Sequence, residues 1–139
     1  VLAEEEIKII YNPDYHLGQS TSLHSGLQEV SSYADGILCM LGDLPLIKVS
    51  TLDDLIVEFR QREELIVLPE YNGQRGNPVI FDYGLRAEML EVSGDQGARS
   101  LLSKYRQQSK RLEVEDEGVI FDVDTKEDYQ ELISKLKQT

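Results

Sequence analysis

Three aspartates, Asp43, Asp122 and Asp124, sit at the ends of short apolar runs, and carboxylates so placed can hold a divalent cation against a phosphate ester. Asp43 lies in Gly42-Asp-Leu-Pro45, directly after the apolar run Ile37 to Leu41. There it is either a Mg²⁺ ligand or a turn residue that binds its own loop amides. Asp122 and Asp124 close the run that starts at Val119; alternate residues of a strand point to opposite faces, so at most one of them joins Asp43. Two more polar clusters follow predicted strands. Gly18-Gln-Ser-Thr-Ser-Leu23 puts small and hydroxyl residues at a helix start, where they either meet a nucleotide or only cap the helix. Asn72-Gly-Gln-Arg-Gly-Asn-Pro78 carries Arg75 within a turn-rich stretch. Other chemistries have less support. His16 and His24 lack the Cys or carboxylate spacing of a zinc site, and the chain has neither a complete P-loop nor a glycine-rich dinucleotide fingerprint.

Alternating elements must position these residues. Ile7-Lys-Ile-Ile-Tyr11 predicts a strand, followed by a loop through Gly18. Leu23, Leu27, Val30 and Ala34 predict an amphipathic helix starting at Ser20 or Thr21. Ile37 to Leu41 reads as a strand buried on both faces, and Ser50 with Asp53 as the cap of a helix carrying Leu52, Leu55, Ile56 and Phe59. Leu65 to Pro69 is the next strand, Tyr71 to Gly76 a turn-rich insertion, and Asn77 to Phe81 a short extended segment. Helical stretches follow over Tyr83 to Leu90 and Ala98 to Tyr105. Leu112 to Val114 and Val119 to Val123 are expected strands around an acidic turn, and Thr125 with Asp128 opens a last helix. The alternation predicts an α/β fold of three layers with a mostly parallel sheet, in which ligands bind beyond the carboxyl ends of the strands.

Composition narrows the partners. The 139 residues, 40% of them apolar, suit one domain spanning 1–139. A formal net charge of -12 repels phosphate backbones and anionic lipid heads, so neither nucleic acid nor a membrane is an expected partner. Cys39 has no second cysteine to bridge and reads as a buried reduced thiol, in keeping with a cytoplasmic protein. The acidic runs Glu4 to Glu6 and Glu113 to Glu117 read as solvated surface.

Six ordered segments resemble the MobA-like nucleotidyltransferases, and within them the molybdenum cofactor cytidylyltransferases, over nearly the whole chain. They are Asn12-Pro-Asp14, Gly18-x-Ser-x-Ser-Leu23 with Gly26-Leu27, Gly42-Asp-x-Pro-Leu46, Arg75-Gly-Asn-Pro-Val79, Ser93-Gly-Asp-x-Gly-Ala-Arg99 and Asp122-Val-Asp-Thr-x-Glu-Asp128. The resemblance implies a Rossmann-like nucleotidyltransferase fold and transfer of CMP from CTP to the terminal phosphate of molybdopterin, releasing pyrophosphate. It further implies Mg²⁺ on Asp43 and Asp124, with Asp122 the weaker choice of ligand. Gly18, Ser20, Thr21, Ser22 and Leu23 then belong to the nucleotide side, and Arg75, Gly76, Asn77 and Pro78 to the acceptor side. Arg99 is either a phosphate contact or a structural pair for Asp95. A molybdoenzyme of the xanthine dehydrogenase type is the implied recipient of the product.

One departure from the family stands out. Such enzymes begin with a strand and a glycine-rich loop ending in Lys, and nothing of the kind precedes Ile7; the chain instead starts at Val1-Leu-Ala-Glu-Glu-Glu6, which resembles the tail of a helix. It therefore reads as the C-terminal portion of a longer domain, without the first βα unit. These 139 residues by themselves are expected to turn over CTP little or not at all, since the β- and γ-phosphates would lack an amide cradle; robust transfer would refute this. Two alternatives remain: a non-catalytic accessory protein of molybdoenzyme maturation that keeps the fold, or a nucleotidyltransferase for another small phosphate ester.

Overall fold

A computed structural model describes residues 7–61, 63–94 and 97–137. The helical tail expected over Val1 to Glu6, and Asp95, lie outside them. In chain order the elements are α1 (Gln19–Gln28), β1 (Gly36–Cys39), α2 (Val49–Arg60), β2 (Ile66–Tyr71), β3 (Gln74–Arg75), β4 (Val79–Asp82), α3 (Arg86–Met89), α4 (Arg99–Lys104), β5 (Ser109–Glu113) and α5 (Lys126–Lys137). They fall into two compact units. One comprises the described residues up to Asp35 with Tyr83–Arg106; the other comprises Gly36–Asp82 with the described residues from Gln107 onward.

The second unit holds the sheet. Leu55 and Phe59, one turn apart on α2, pack with Val67 of β2 and Ile80 of β4, and Ile56 and Leu112 cover the cluster. Gly36 lets β1 approach this helix, because a Cβ there would lie 2.6 Å from carbons of the Phe59 ring. Strand β4 lies between β1 and β2, antiparallel to both, while β5 runs parallel to β2 along its other edge. The sheet is therefore mixed, whereas the expectation was mostly parallel. The reason is local. Asn72 and Gly73 have φ of 49° and 78°, the left-handed pair that closes a two-residue hairpin, so the stretch read as an insertion turns β2 back into β3 and on into β4. Strands β1, β2 and β5 still share one direction, as strands joined through helices do.

Other expectations are corrected. Residues 7–11 form no strand: Ile7 is 53% and Tyr11 79% exposed. β1 is not buried on both faces, since Leu38 is exposed beside buried Ile37, and among the described residues it is an edge strand paired only with β4. Val119 to Val123 is not a strand either. A 3₁₀ turn over Glu117–Val119 takes its first part, capped by Asp116, and the rest is irregular.

Around α1 in the first unit, the helix starts one residue before the expected cap, with Gly18 as N-cap at φ 118°. Arg86 of α3 donates to the Leu27 carbonyl of α1 at 3.0 Å. Glu88 ties α3 to α4 by accepting from both Lys104 and Tyr105. Tyr105 and Lys104 thus serve packing between helices.

At α5 the sequence reading holds. The Thr125 amide donates to Asp128 Oδ2 at 2.8 Å and the Asp128 amide donates to Thr125 Oγ1 at 3.2 Å, a reciprocal cap. Hydrogen bonds from the Thr125 hydroxyl, the Thr125 amide and the Asp124 amide hold the Asp128 carboxyl below its ordinary range. Because the folded-state pKa is the lower one, this stabilisation is present above the unfolded-state value and is lost as pH falls through the folded-state value. Thr125→Ala should bring the Asp128 titration, followed by NMR, back up towards the usual carboxylate range; an unmoved titration would show that the cap does not set it. No helix among the described residues is long and apolar enough to cross a membrane.

Candidate functional site

Asp43 lies between β1 and α2, and buried Leu44 anchors its loop. Its carboxylate Oδ1 is buried and has no hydrogen-bond partner among the described residues. The loop amides therefore do not satisfy this oxygen, which removes the turn-residue explanation for it. A buried ionised oxygen left without a donor is costly, and a cation or a protein donor normally offsets that cost. The Val123 amide donates to the Asp43 carbonyl at 3.0 Å, which lays the segment Asp122-Val-Asp124 alongside Asp43. So the structure joins the two acidic segments.

It does not gather all three carboxylates. Among the described residues no group of three or more His, Cys, Asp or Glu side chains is close enough to hold a metal ion. Asp122 and Asp124 are both exposed, and their stretch is irregular, so the expected alternation between strand faces does not apply to them. A hard oxygen donor set of one buried carboxylate and one exposed neighbour suits Mg²⁺ or Mn²⁺, which keep several waters as ligands.

The Arg75 segment divides by burial. Arg75 pairs across the hairpin with Glu70 and is exposed, and Asn77 is half-buried. Gly76 and Pro78 are buried. The Gly76 amide donates to the Pro69 carbonyl at 2.9 Å and the Asn77 amide to the Val119 carbonyl at 2.8 Å. A Cβ on Gly76 would stand 2.6 Å from the Val119 oxygen. Gly76 and Pro78 thus shape the path, while Arg75 and Asn77 keep side chains open to a ligand.

In the other unit, Gly18 to Leu23 forms the start of α1. The Asn12 amide Nδ2 donates to Thr21 Oγ1 at 2.8 Å and Ser22 Oγ at 2.9 Å, and its Oδ1 accepts from the Asp14 amide. Thr21 in turn donates to the Asp14 and Gly18 carbonyls. Ser20 is buried. Thr21 is therefore committed to the Asn12-Pro-Asp14 turn and Ser20 is closed off by burial, while Ser22 is exposed although it too accepts from Asn12. Arg99 begins α4 and is exposed. Cys39 is half-buried where the sequence predicts a buried thiol, and desolvation pushes its thiol up to about 11, which keeps it protonated at neutral pH.

One acidic residue escaped the sequence reading. Asp116, within a run expected to be solvated, is 3% exposed and accepts three hydrogen bonds. The signal was Asp116 two residues before Gly118, the spacing of an Asx turn.

Residues 1–111 match the MobA-like NTP transferase domain. The Purine catabolism protein PucB of Bacillus subtilis (strain 168) is 31% identical over 118 residues, 84% of this chain and 56% of that protein. The molybdenum cofactor cytidylyltransferase of Escherichia coli (strain K12) is 27% identical over 128 residues, 91% of this chain and 62% of that protein. A crystal structure of a Mycobacterium tuberculosis H37Rv protein in complex with manganese is 30% identical and superposes with a TM-score of 0.70, covering 81% of this chain and 59% of that one. The chain thus spans between a half and two thirds of the length of these three relatives. With its α/β architecture, its ordered motifs and a family match over most of its length, the chain belongs to the MobA-like NTP transferase domain family.

Proposed function

We propose that this chain is part of a nucleotidyltransferase that transfers CMP from CTP to the terminal phosphate of molybdopterin, with release of pyrophosphate. The observation that carries the reading is Asp43: a buried carboxylate oxygen without a protein donor among the described residues, at a strand end, laced through its own carbonyl to the Asp122-Val-Asp124 segment. Asp43 with Asp124 would hold Mg²⁺, Asp122 being the weaker choice. The ion, when bound, supplies positive charge against the phosphates. The manganese held by the mycobacterial protein supports a divalent cation in this fold.

The remaining chemistry falls to positioning. No covalent nucleophile is needed when an acceptor phosphate oxygen can attack the donor's α-phosphorus directly. In this reading Arg75 and Asn77 are the residues assigned to the acceptor phosphate, and Ser22 with the α1 start those assigned to the nucleotide. In a chain of net charge -12, Arg75 contributes one of few local cations for a polyanionic substrate. CTP is the preferred donor because Gly18-Gln-Ser-Thr-Ser-Leu23 is similar to the cytidine-using branch, which the 27% identity to the Escherichia coli enzyme supports. The Bacillus subtilis relative's role in purine catabolism supports a molybdoenzyme of the xanthine dehydrogenase type as recipient.

A donor and acceptor screen tests this. A chimera with the N-terminal segment of the Escherichia coli enzyme placed before Val1 should label molybdopterin from radioactive CTP in preference to ATP or GTP. Preference for a purine nucleotide, or for a sugar phosphate as acceptor, would overturn the assignment. A correctly folded chimera without any transfer would favour the accessory-protein reading.

A further inference from the structure

Asp116 ties the end of the Asp43 loop to its own turn at 116–118, and that turn holds the Asn77 and Asp122-Val-Asp124 segments. Its Oδ2 accepts from the Lys48 amide at 2.9 Å and from the Thr51 hydroxyl at 2.6 Å, across more than sixty residues of sequence, and its Oδ1 accepts from the Gly118 amide at 3.0 Å. The first two bonds fix the end of the Asp43 loop and the first turn of α2. That helix has Lys48 as N-cap without any side-chain cap of its own, so Asp116 does from a distance what Ser50 and Asp53 were expected to do. The third bond closes the turn over Glu117–Val119. From that turn the Val119 carbonyl accepts the Asn77 amide, and a few residues on the Val123 amide donates to the Asp43 carbonyl. Gly118 packs on the backbone of Leu46, which clamps the same two segments together.

We infer that Asp116 is a positioning residue: its two carboxylate oxygens, each with its own donors, set the Asp43 loop, the Asn77 segment and the Asp122-Val-Asp124 segment in register. The chemistry explains why a carboxylate is needed. Two backbone amides and a hydroxyl all donate, and only an ionised carboxylate offers two acceptor oxygens without a competing donor. An asparagine in its place has one acceptor oxygen, so it must turn its NH₂ against either the Lys48 amide or the Gly118 amide and lose that anchor. The hydroxyl of Thr51 can rotate to accept from the NH₂, so its own loss is the lesser one.

The inference rests on the proposed function only for what the register serves, and the test separates the two. Amide hydrogen exchange of the 139-residue chain would compare Asp116→Asn, Asp116→Ala and Thr51→Val. In both Asp116 variants, protection of the Val123 and Asn77 amides, neither of which bonds to Asp116, is expected to fall at least about tenfold, while β2 amides such as that of Leu68 keep theirs. Thr51→Val should change Val123 by less than about threefold. Unchanged protection at Val123 and Asn77, or a loss shared equally by β2, would overturn the inference, the second because it marks global destabilisation. Mn²⁺ titration followed by electron paramagnetic resonance forms the other arm. Asp116→Asn should weaken Mn²⁺ binding by about 10- to 100-fold with Asp43 intact. If the unaltered chain binds no Mn²⁺, the metal reading of Asp43 fails, and the exchange data still decide the role of Asp116.

Discussion

Asp43→Asn should reduce cytidylyl transfer by the chimera at least about 1,000-fold while leaving its unfolding midpoint at or above that of the parent. The substitution keeps the size of the side chain and removes the charge. If Asp43 holds a cation, the loss falls on the rate and on Mn²⁺ binding together. Stability moves the other way, because a carboxylate oxygen is buried there without a donor among the described residues and a neutral amide is cheaper to bury. This opposite sign separates a ligand from a structural aspartate, whose replacement lowers stability and leaves the chemistry nearly intact. Transfer within about tenfold of the parent would remove Asp43 from the metal site. Asp124→Asn should also lower transfer, and a smaller effect from Asp122→Asn would rank the two exposed carboxylates, which the fold by itself leaves equivalent.

Gly118→Ala should destabilise the chain by about 3 kcal/mol, the high end for forcing extra volume into a packed site. A Cβ on Gly118 would enter the van der Waals envelope of the Leu46 carbonyl and stand 2.7 Å from the Ile47 amide nitrogen. These are backbone atoms, which cannot swing aside as the end of a flexible side chain can. Relief requires the 117–119 turn to part from the 46–48 loop, and that motion pulls on the Asp116 bonds to Lys48 and Gly118. Urea unfolding should show a lower midpoint with an unchanged slope. Gly26→Ala provides the contrast. Nothing lies within 4 Å of a Cβ there and the residue is inside α1, so the change should be neutral or stabilising by up to about 1 kcal/mol. Equal stability of the Gly118→Ala chain and its parent would mean that the two segments are not clamped at this point.

Much of the architecture was legible because it depends on neighbours in sequence. The four-residue spacing of Leu55 and Phe59 fixes which face of α2 is buried, and Thr125 with Asp128 three residues on fixes where α5 starts. Asn72-Gly73 also announced its hairpin, and the mixed sheet follows from that pair of left-handed residues; the alternation of strands and helices pulled the expectation towards parallel pairing instead. Ile7 to Tyr11 shows the converse limit. Its β-branched run has the right propensity, but a strand needs a partner edge, and the structure gives it none among the described residues.

The sequence by itself determined which chemistry the chain could carry: acidic residues after apolar runs, a hydroxyl-rich helix start, Arg75 in a turn-rich stretch, and the order of motifs that marks the family. Only the tertiary structure decided which of these groups are free to act. It left Asp43 Oδ1 buried without a protein donor, committed Thr21 to the Asn12 turn, buried Gly76 and Pro78, and drew Asp116 out of an apparently solvated run to cap a helix far away in the chain. The physical reason is that a residue's type sets its donors, acceptors and charge, whereas whether they are already satisfied depends on contacts closed across many tens of residues, which no local spacing encodes.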